Sequence, residues 1–130
     1  MIREGGCQCG AVRFKADGEP ANVWLCHCRH CQQTFSAPFN ARAFYLGPQV
    51  ATSGETVQYA TSERLSRVSC AKCGTRVWTV RSDGYGYGLP LAAFDDPEAF
   101  TPTDHIFITE KAAWLKLDDG LPQHAMRPGQ

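Results

Sequence analysis

Seven cysteines in 130 residues, gathered into three short clusters, constrain this chain more than any other feature. The clusters are Cys7-Gln8-Cys9-Gly10, Cys26-His27-Cys28-Arg29-His30-Cys31 and Cys70-Ala71-Lys72-Cys73-Gly74. An odd count would leave a disulfide framework with one orphan thiol. The first six residues carry no apolar run, so neither a secretory nor a transit peptide is expected. No stretch approaches the ~18 consecutive apolar residues of a membrane span. These readings predict a cytoplasmic protein whose thiols stay reduced, and reduced cysteines in clusters are metal ligands.

Spacing divides the seven into four and three. Cys7 and Cys9 are separated by one residue, which in an extended strand puts both on one face. Cys70 and Cys73 have the turn spacing of zinc ligands, and Gly74, like Gly10, frees the backbone to curl past an ion. These two pairs make a four-thiolate site, tetrahedral, closed and structural. Cys26, Cys28 and Cys31 are compact enough to hold a second ion and leave one tetrahedral position open, the pattern of a catalytic zinc. Three thiolates on a dication carry a charge of about −1, a weak Lewis acid suited to a further soft ligand such as a substrate thiol. Closure of the trio by His105 or His124, or a trio that is redox-active or metal-free, are the alternatives. His27 and His30 fall out of phase with the cysteines and read as loop residues beside the ions.

The rest of the chain reads as mainly β, in one domain over residues 1–130. Residues 12–16 alternate and stop at Asp17-Gly18. Residues 23–26, 39–46 and 56–59 are further strands, 67–69 and 77–80 are the arms of a hairpin around the third cluster, and 85–89 and 105–108 complete the set. Short helical turns are expected at 31–36, 97–100 and 110–114. Thirteen basic residues balance thirteen acidic ones, so no overall field draws in nucleic acid or an anionic membrane. Arg64, Arg67, Lys72 and Arg76, flanked by Glu63 and Asp83, read as a solvated face. Trp24, Phe39, Phe44, Tyr45, Trp78, Tyr85 and Tyr87 are core residues first and candidates for lining a pocket second.

In this order the motifs resemble the family of glutathione-dependent formaldehyde-activating enzymes and centromere protein V. The resemblance rests on residues 6–14, on 26–32 with Ala37-Pro38-Phe39, on 70–75, and on a tail of Phe94-Asp95-Asp96-Pro97, His105-Ile106-Phe107, Lys111, Trp114 and Asp119-Gly120-Leu121-Pro122. It implies a β-tent fold of short antiparallel strands around a structural zinc held by Cys7, Cys9, Cys70 and Cys73. It also implies a second zinc on Cys26, Cys28 and Cys31, where the thiol of glutathione adds to formaldehyde, and hence a carbon–sulfur lyase acting on an adduct such as S-hydroxymethylglutathione. The chain departs from the family at Ser36 and Asn40, where glycine is usual, and at Ser69, where phenylalanine is common. Those changes touch the loop around the open site and leave the ligands intact.

Partners on this reading are a small thiol such as glutathione and an aldehyde, with no membrane and no nucleic acid. Histidines 27, 30 and 105 are the candidate proton acceptors, although a strand position suggests that His105 serves the fold. Arg29 and Arg42 are candidates for a substrate carboxylate. The competing class is a non-enzymatic zinc module, binding protein or nucleic acid, in which both ions are structural.

Overall fold

A computed structural model describes residues 1–130 and is mainly β, in two sheets. The smaller has three strands in the order β1-β2-β5, with β1 (Ile2–Gly6), β2 (Arg13–Asp17) and β5 (Val50–Ser53) all antiparallel. The larger has seven, in the order β10-β3-β4-β9-β8-β7-β6. These are β3 (Asn22–Cys26), β4 (Asn40–Leu46), β6 (Thr56–Ala60), β7 (Leu65–Cys70), β8 (Arg76–Arg81), β9 (Gly86–Pro90) and β10 (Asp104–Ile106). The sheet is not wholly antiparallel: β10 runs parallel to β3, pairing His105 with Leu25 and Ile106 with Cys26. No helix is long and apolar enough to cross a membrane.

The core lies where the sheets face each other. On β2 the alternation expected from sequence buries Phe14 and Ala16 and turns Lys15 and Asp17 outward. Phe14 meets Trp78 of β8 edge-on at 6.3 Å and Phe94 at 5.0 Å, an arrangement aromatic quadrupoles favour. Tyr45, Val68, Val77 and Leu89 fill the space behind them, fully buried. Gly5 is required here: a Cβ would lie 2.2 Å from Ala93 O and 2.8 Å from Phe94 Cα, so any side chain would push β1 off the segment that it bridges at Phe94.

The expected helices need correction. The first begins earlier, as α1 (Arg29–Phe35), because Cys28 caps it: its sulfur accepts the Cys31 N–H. Residues 97–100 form only a turn, closed by Ala99 N–H on Asp96 O. Around residue 110 the chain makes a single 3₁₀ turn, Ile108–Glu110, which ends where the predicted helix was to begin. β1 and β5 have no counterpart among the predicted strands. β1 is glycine-rich, β5 is short and largely exposed, and each exists because β2 offers it a partner.

Candidate metal centres and the arginine-lined cavity

All seven cysteines are free thiols, and the fold collects their sulfurs into two groups. In each group the sulfurs lie within 4.8 Å of one another: Cys7, Cys9, Cys70 and Cys73 in one, Cys26, Cys28 and Cys31 in the other.

The four-sulfur group joins the tips of two hairpins. Cys7 and Cys9 sit in the β1–β2 loop, and Cys70 and Cys73 at the β7–β8 turn. The first pair is therefore not on an extended strand, as spacing had suggested. The chain turns back after β1, with Cys7 N–H on Val12 O at 3.0 Å and Gly10 at φ +83°. The second turn repeats the device, with Cys70 N–H on Thr75 O at 2.9 Å and Gly74 at φ +79°. Both turns aim amides at sulfur. Val12 N–H reaches Cys7 Sγ at 3.2 Å, and the Lys72 and Cys73 N–H groups both reach Cys70 Sγ at 3.3 Å. Hydrogen bonds of this kind favour the thiolate. The Thr75 hydroxyl, 3.2 Å from Cys73 Sγ, helps pull that thiol down to about 5. Ligands about 2.3 Å from a tetrahedral ion stand about 3.8 Å apart. The separations here are 3.5 Å for Cys7–Cys9 and 3.8 Å for Cys9–Cys70, so the donor set fits such an ion.

The three-sulfur group is local. Cys26 ends β3, Cys28 caps α1 and Cys31 lies inside it. The Cys26 thiol donates to Cys28 Sγ at 3.3 Å. Hydrogen bonds from Cys26 and Cys31 hold Cys28 down at about 2, while the bond to Cys28, the one to Cys31 and burial push Cys26 far up. Without a cation, three crowded sulfurs share few negative charges. A dication would let all three ionise, so this donor set also fits a metal.

The trio opens on a cavity of about 470 Å³. Trp24, Phe44 and Tyr85 line it, together with Arg42, Arg67, Arg81 and Arg127. The other predicted aromatics lie elsewhere: Tyr45 and Trp78 are buried core, Tyr87 packs on Trp78, and Phe39 leans on His27.

The sequence model of the family described as glutathione-dependent formaldehyde-activating enzyme matches residues 2–110. This chain belongs to that family. An uncharacterised lyase of Schizosaccharomyces pombe is 33% identical over 81 residues, which is 62% of this chain and 59% of the yeast protein. The chain thus spans under two thirds of that relative. A putative glutathione-dependent formaldehyde-activating enzyme of Halomonas elongata is 24% identical over 91% of this chain and 82% of its own. The crystal structure of a Rhodobacter sphaeroides protein shares the fold, with a TM-score of 0.57 at 17% identity, covering 93% of this chain and 98% of that one.

Around this family framework the polar residues predicted from sequence sort themselves. His27 is fully buried, and its Nε2 lies 2.8 Å from His105 Nδ1, whose Nε2 lies 2.7 Å from Asp119 Oδ2. The Asp119 carboxyl is held low by the Leu121 N–H and by His105, so it accepts from His105 Nε2–H. With both rings neutral, His105 Nδ1 accepts from His27 Nε2–H; His27 Nδ1 is buried without a partner. Burial pushes His27 down to about 4, so it is neutral. Neither His27 nor His105 lines the cavity, and His30 does. His124 bonds Asp104 at 2.7 Å and closes neither cysteine group. Arg29 points away from the cavity to Gln32, whereas Arg42 lines it.

The predicted solvated face of Arg64, Arg67, Lys72 and Arg76 divides. Three of these stay exposed, but Arg67 is 5% exposed and reaches to 4.0 Å from Cys31 Sγ. Sequence reasoning missed Arg67, Arg81, Arg127 and Asp119 as parts of this region. Asp119 lay in a noted motif, but only β10 and the tail, brought together in space, give it a partner.

Proposed function

We propose that this chain is a carbon–sulfur lyase that makes and breaks the bond between a small thiol and an aldehyde carbon, with glutathione and formaldehyde the pair its family points to. The observation that carries this reading is the open group of three sulfurs on the wall of a substrate-sized cavity. Cys7, Cys9, Cys70 and Cys73 would hold a structural zinc, and Cys26, Cys28 and Cys31 a second. The second ion, when bound, supplies an open coordination position and lowers the pKa of a thiol there.

The chain's own residues do the rest. Trp24, Phe44 and Tyr85 give the cavity an apolar wall that limits water around the reacting carbon. The caps on α1 hold Cys28 and Cys31 in place. Cys28 Sγ takes the Cys31 N–H at 3.4 Å, and the Glu110 carboxylate takes the Arg29 N–H at 3.0 Å. Gln32 Nε2 donates to His27 O at 2.7 Å and to Glu110 O at 2.9 Å, tying the helix to the cysteine segment and to the 3₁₀ turn. Fixed geometry of this kind is what proximity catalysis requires.

The test is the rate of adduct formation and breakdown from glutathione and formaldehyde with zinc-loaded protein, set against the uncatalysed rate. Turnover above background that disappears in Cys31→Ser supports the reading. A rate equal to background, with two zinc ions bound per chain, overturns it.

A further inference from the structure

The overall charge of this chain is zero, but the cavity beside the cysteine trio is not neutral. Four arginines line it, from four separate parts of the chain: Arg42 on β4, Arg67 on β7, Arg81 on β8 and Arg127 in the tail. No aspartate or glutamate lines it. Of the four, only Arg81 has an acidic partner, Asp83 at 3.1 Å.

Each of the others lacks a carboxylate partner, and Arg67 also lies 4.0 Å from Cys31 Sγ. Arg42 Nη1 donates to Asn22 Oδ1 at 2.6 Å, with the guanidinium over the Trp24 ring at 5.1 Å. Arg67 Nη1 donates to Thr79 Oγ1 at 2.9 Å. Arg127 lies over Phe107 at 5.5 Å. Arg67 is 5% exposed, and its Nε–H finds no acceptor; the Arg81 Nε–H is buried and unpartnered as well. A buried N–H left unpaired is a standing cost to the fold. Burial also pushes Arg42 below its ordinary value.

The cysteine trio does not settle this charge. With a dication bound it carries about −1, against three guanidiniums that lack an acid. About two positive charges remain uncovered, in a concave site that concentrates their field.

We infer that Arg42, Arg67, Arg81 and Arg127 form a carboxylate-binding subsite that commits the cavity to a thiol bearing one or more carboxylates and rejects neutral thiols. Guanidinium groups bind carboxylates through paired, charge-assisted hydrogen bonds. The inference rests on the proposed lyase reading for the thiol, but the anion subsite stands without it.

The two readings separate in a binding experiment. S-methylglutathione keeps both carboxylates, and its capped sulfur cannot ionise. Titrated calorimetrically into zinc-loaded protein, it should bind, and its dimethyl ester should bind at least roughly tenfold more weakly. Arg127→Gln, at an exposed position, and Arg42→Gln should each weaken the diacid by roughly tenfold and leave the ester unchanged. Affinity for the diacid should fall as salt rises. Equal binding of diacid and ester, or no binding of either by protein with intact zinc content, overturns the subsite. Diacid binding without turnover above background leaves the subsite standing and overturns the lyase reading.

Discussion

The two cysteine groups use similar local parts for different architectural ends. Each takes amide hydrogen bonds at sulfur, and each gathers its cysteines across tight turns. The four-sulfur group joins loops far apart in sequence and ties the small sheet to the large one. The three-sulfur group is built within six residues, from the end of β3 to the first turn of α1, between two strands already paired to each other. Closing a long loop contributes to global stability, because the unfolded chain cannot do it cheaply. Closing a short one shapes a site. The same kind of sulfur cluster thus bridges the two sheets in one place and sits on the wall of a cavity in the other.

The most severe way to break this comparison is to cut one ligand from each group. Cys70→Ser should unfold the protein or leave it molten, since an ion at a structural four-thiolate site contributes on the order of 10 kcal/mol to folding, more than the ~5–15 kcal/mol total can readily lose. Cys28→Ser should keep the fold, shift the melting temperature by only a few degrees and bind one zinc per chain. Circular dichroism melts and metal analysis check both. If the two variants melt alike, the division of labour between the groups is wrong.

Much of this contrast was legible in sequence, because cysteine spacing is itself a geometric statement. The partition into four and three followed from spacing, and so did most strands. What spacing could not show was the local geometry at Cys7 and Cys9, which lie in a turn set by Gly10. β1 escaped notice because Ile2-Arg3-Glu4-Gly5-Gly6 has no alternation, and its strand character comes from pairing with β2 and from the space only Gly5 leaves beside Ala93. The arginine cavity was illegible for a different reason. Its members come from β4, β7, β8 and the tail, and only the strand order brings them to one wall. Arg67 sat among three charges that do face solvent, and nothing in the pattern marks it as the one turned inward.

A smaller test concerns the packing behind the trio. Buried His27 is held down at about 4 from an ordinary value of 6.5. The folded protein therefore resists protonation there, while the unfolded chain accepts it. Between about pH 6.5 and 4 the unfolded state binds more protons, so this contribution to stability is complete above pH 6.5 and is lost as pH falls through that window. The His27 ring signals in an NMR titration should stay those of a neutral imidazole down to about pH 4. A midpoint near 6.5 would show that the His27–His105–Asp119 chain does not hold in solution and that the segment between Cys26 and Cys28 is looser than the four-sulfur turns.

The smallest effect sharpens the contrast at the end of α1. Ser36 closes that helix at φ +48° and ψ +49°, a left-handed conformation that glycine adopts without strain. It is also a position where the resemblance from sequence led us to expect glycine. A non-glycine residue there costs ~1–2 kcal/mol, and glycine would return ~0.5–1 kcal/mol of that as entropy lost on folding. Ser36→Gly should then stabilise the protein by about 0.5–1 kcal/mol, read as a rise of a few degrees in melting temperature. The four-sulfur turns already have glycine at their left-handed positions, Gly10 and Gly74, so no comparable gain is available there. Serine at the helix end therefore leaves the local group, not the tie between sheets, with stability in reserve. A Ser36→Gly protein that melts at or below the wild-type temperature would mean that the serine does something the backbone angles do not show.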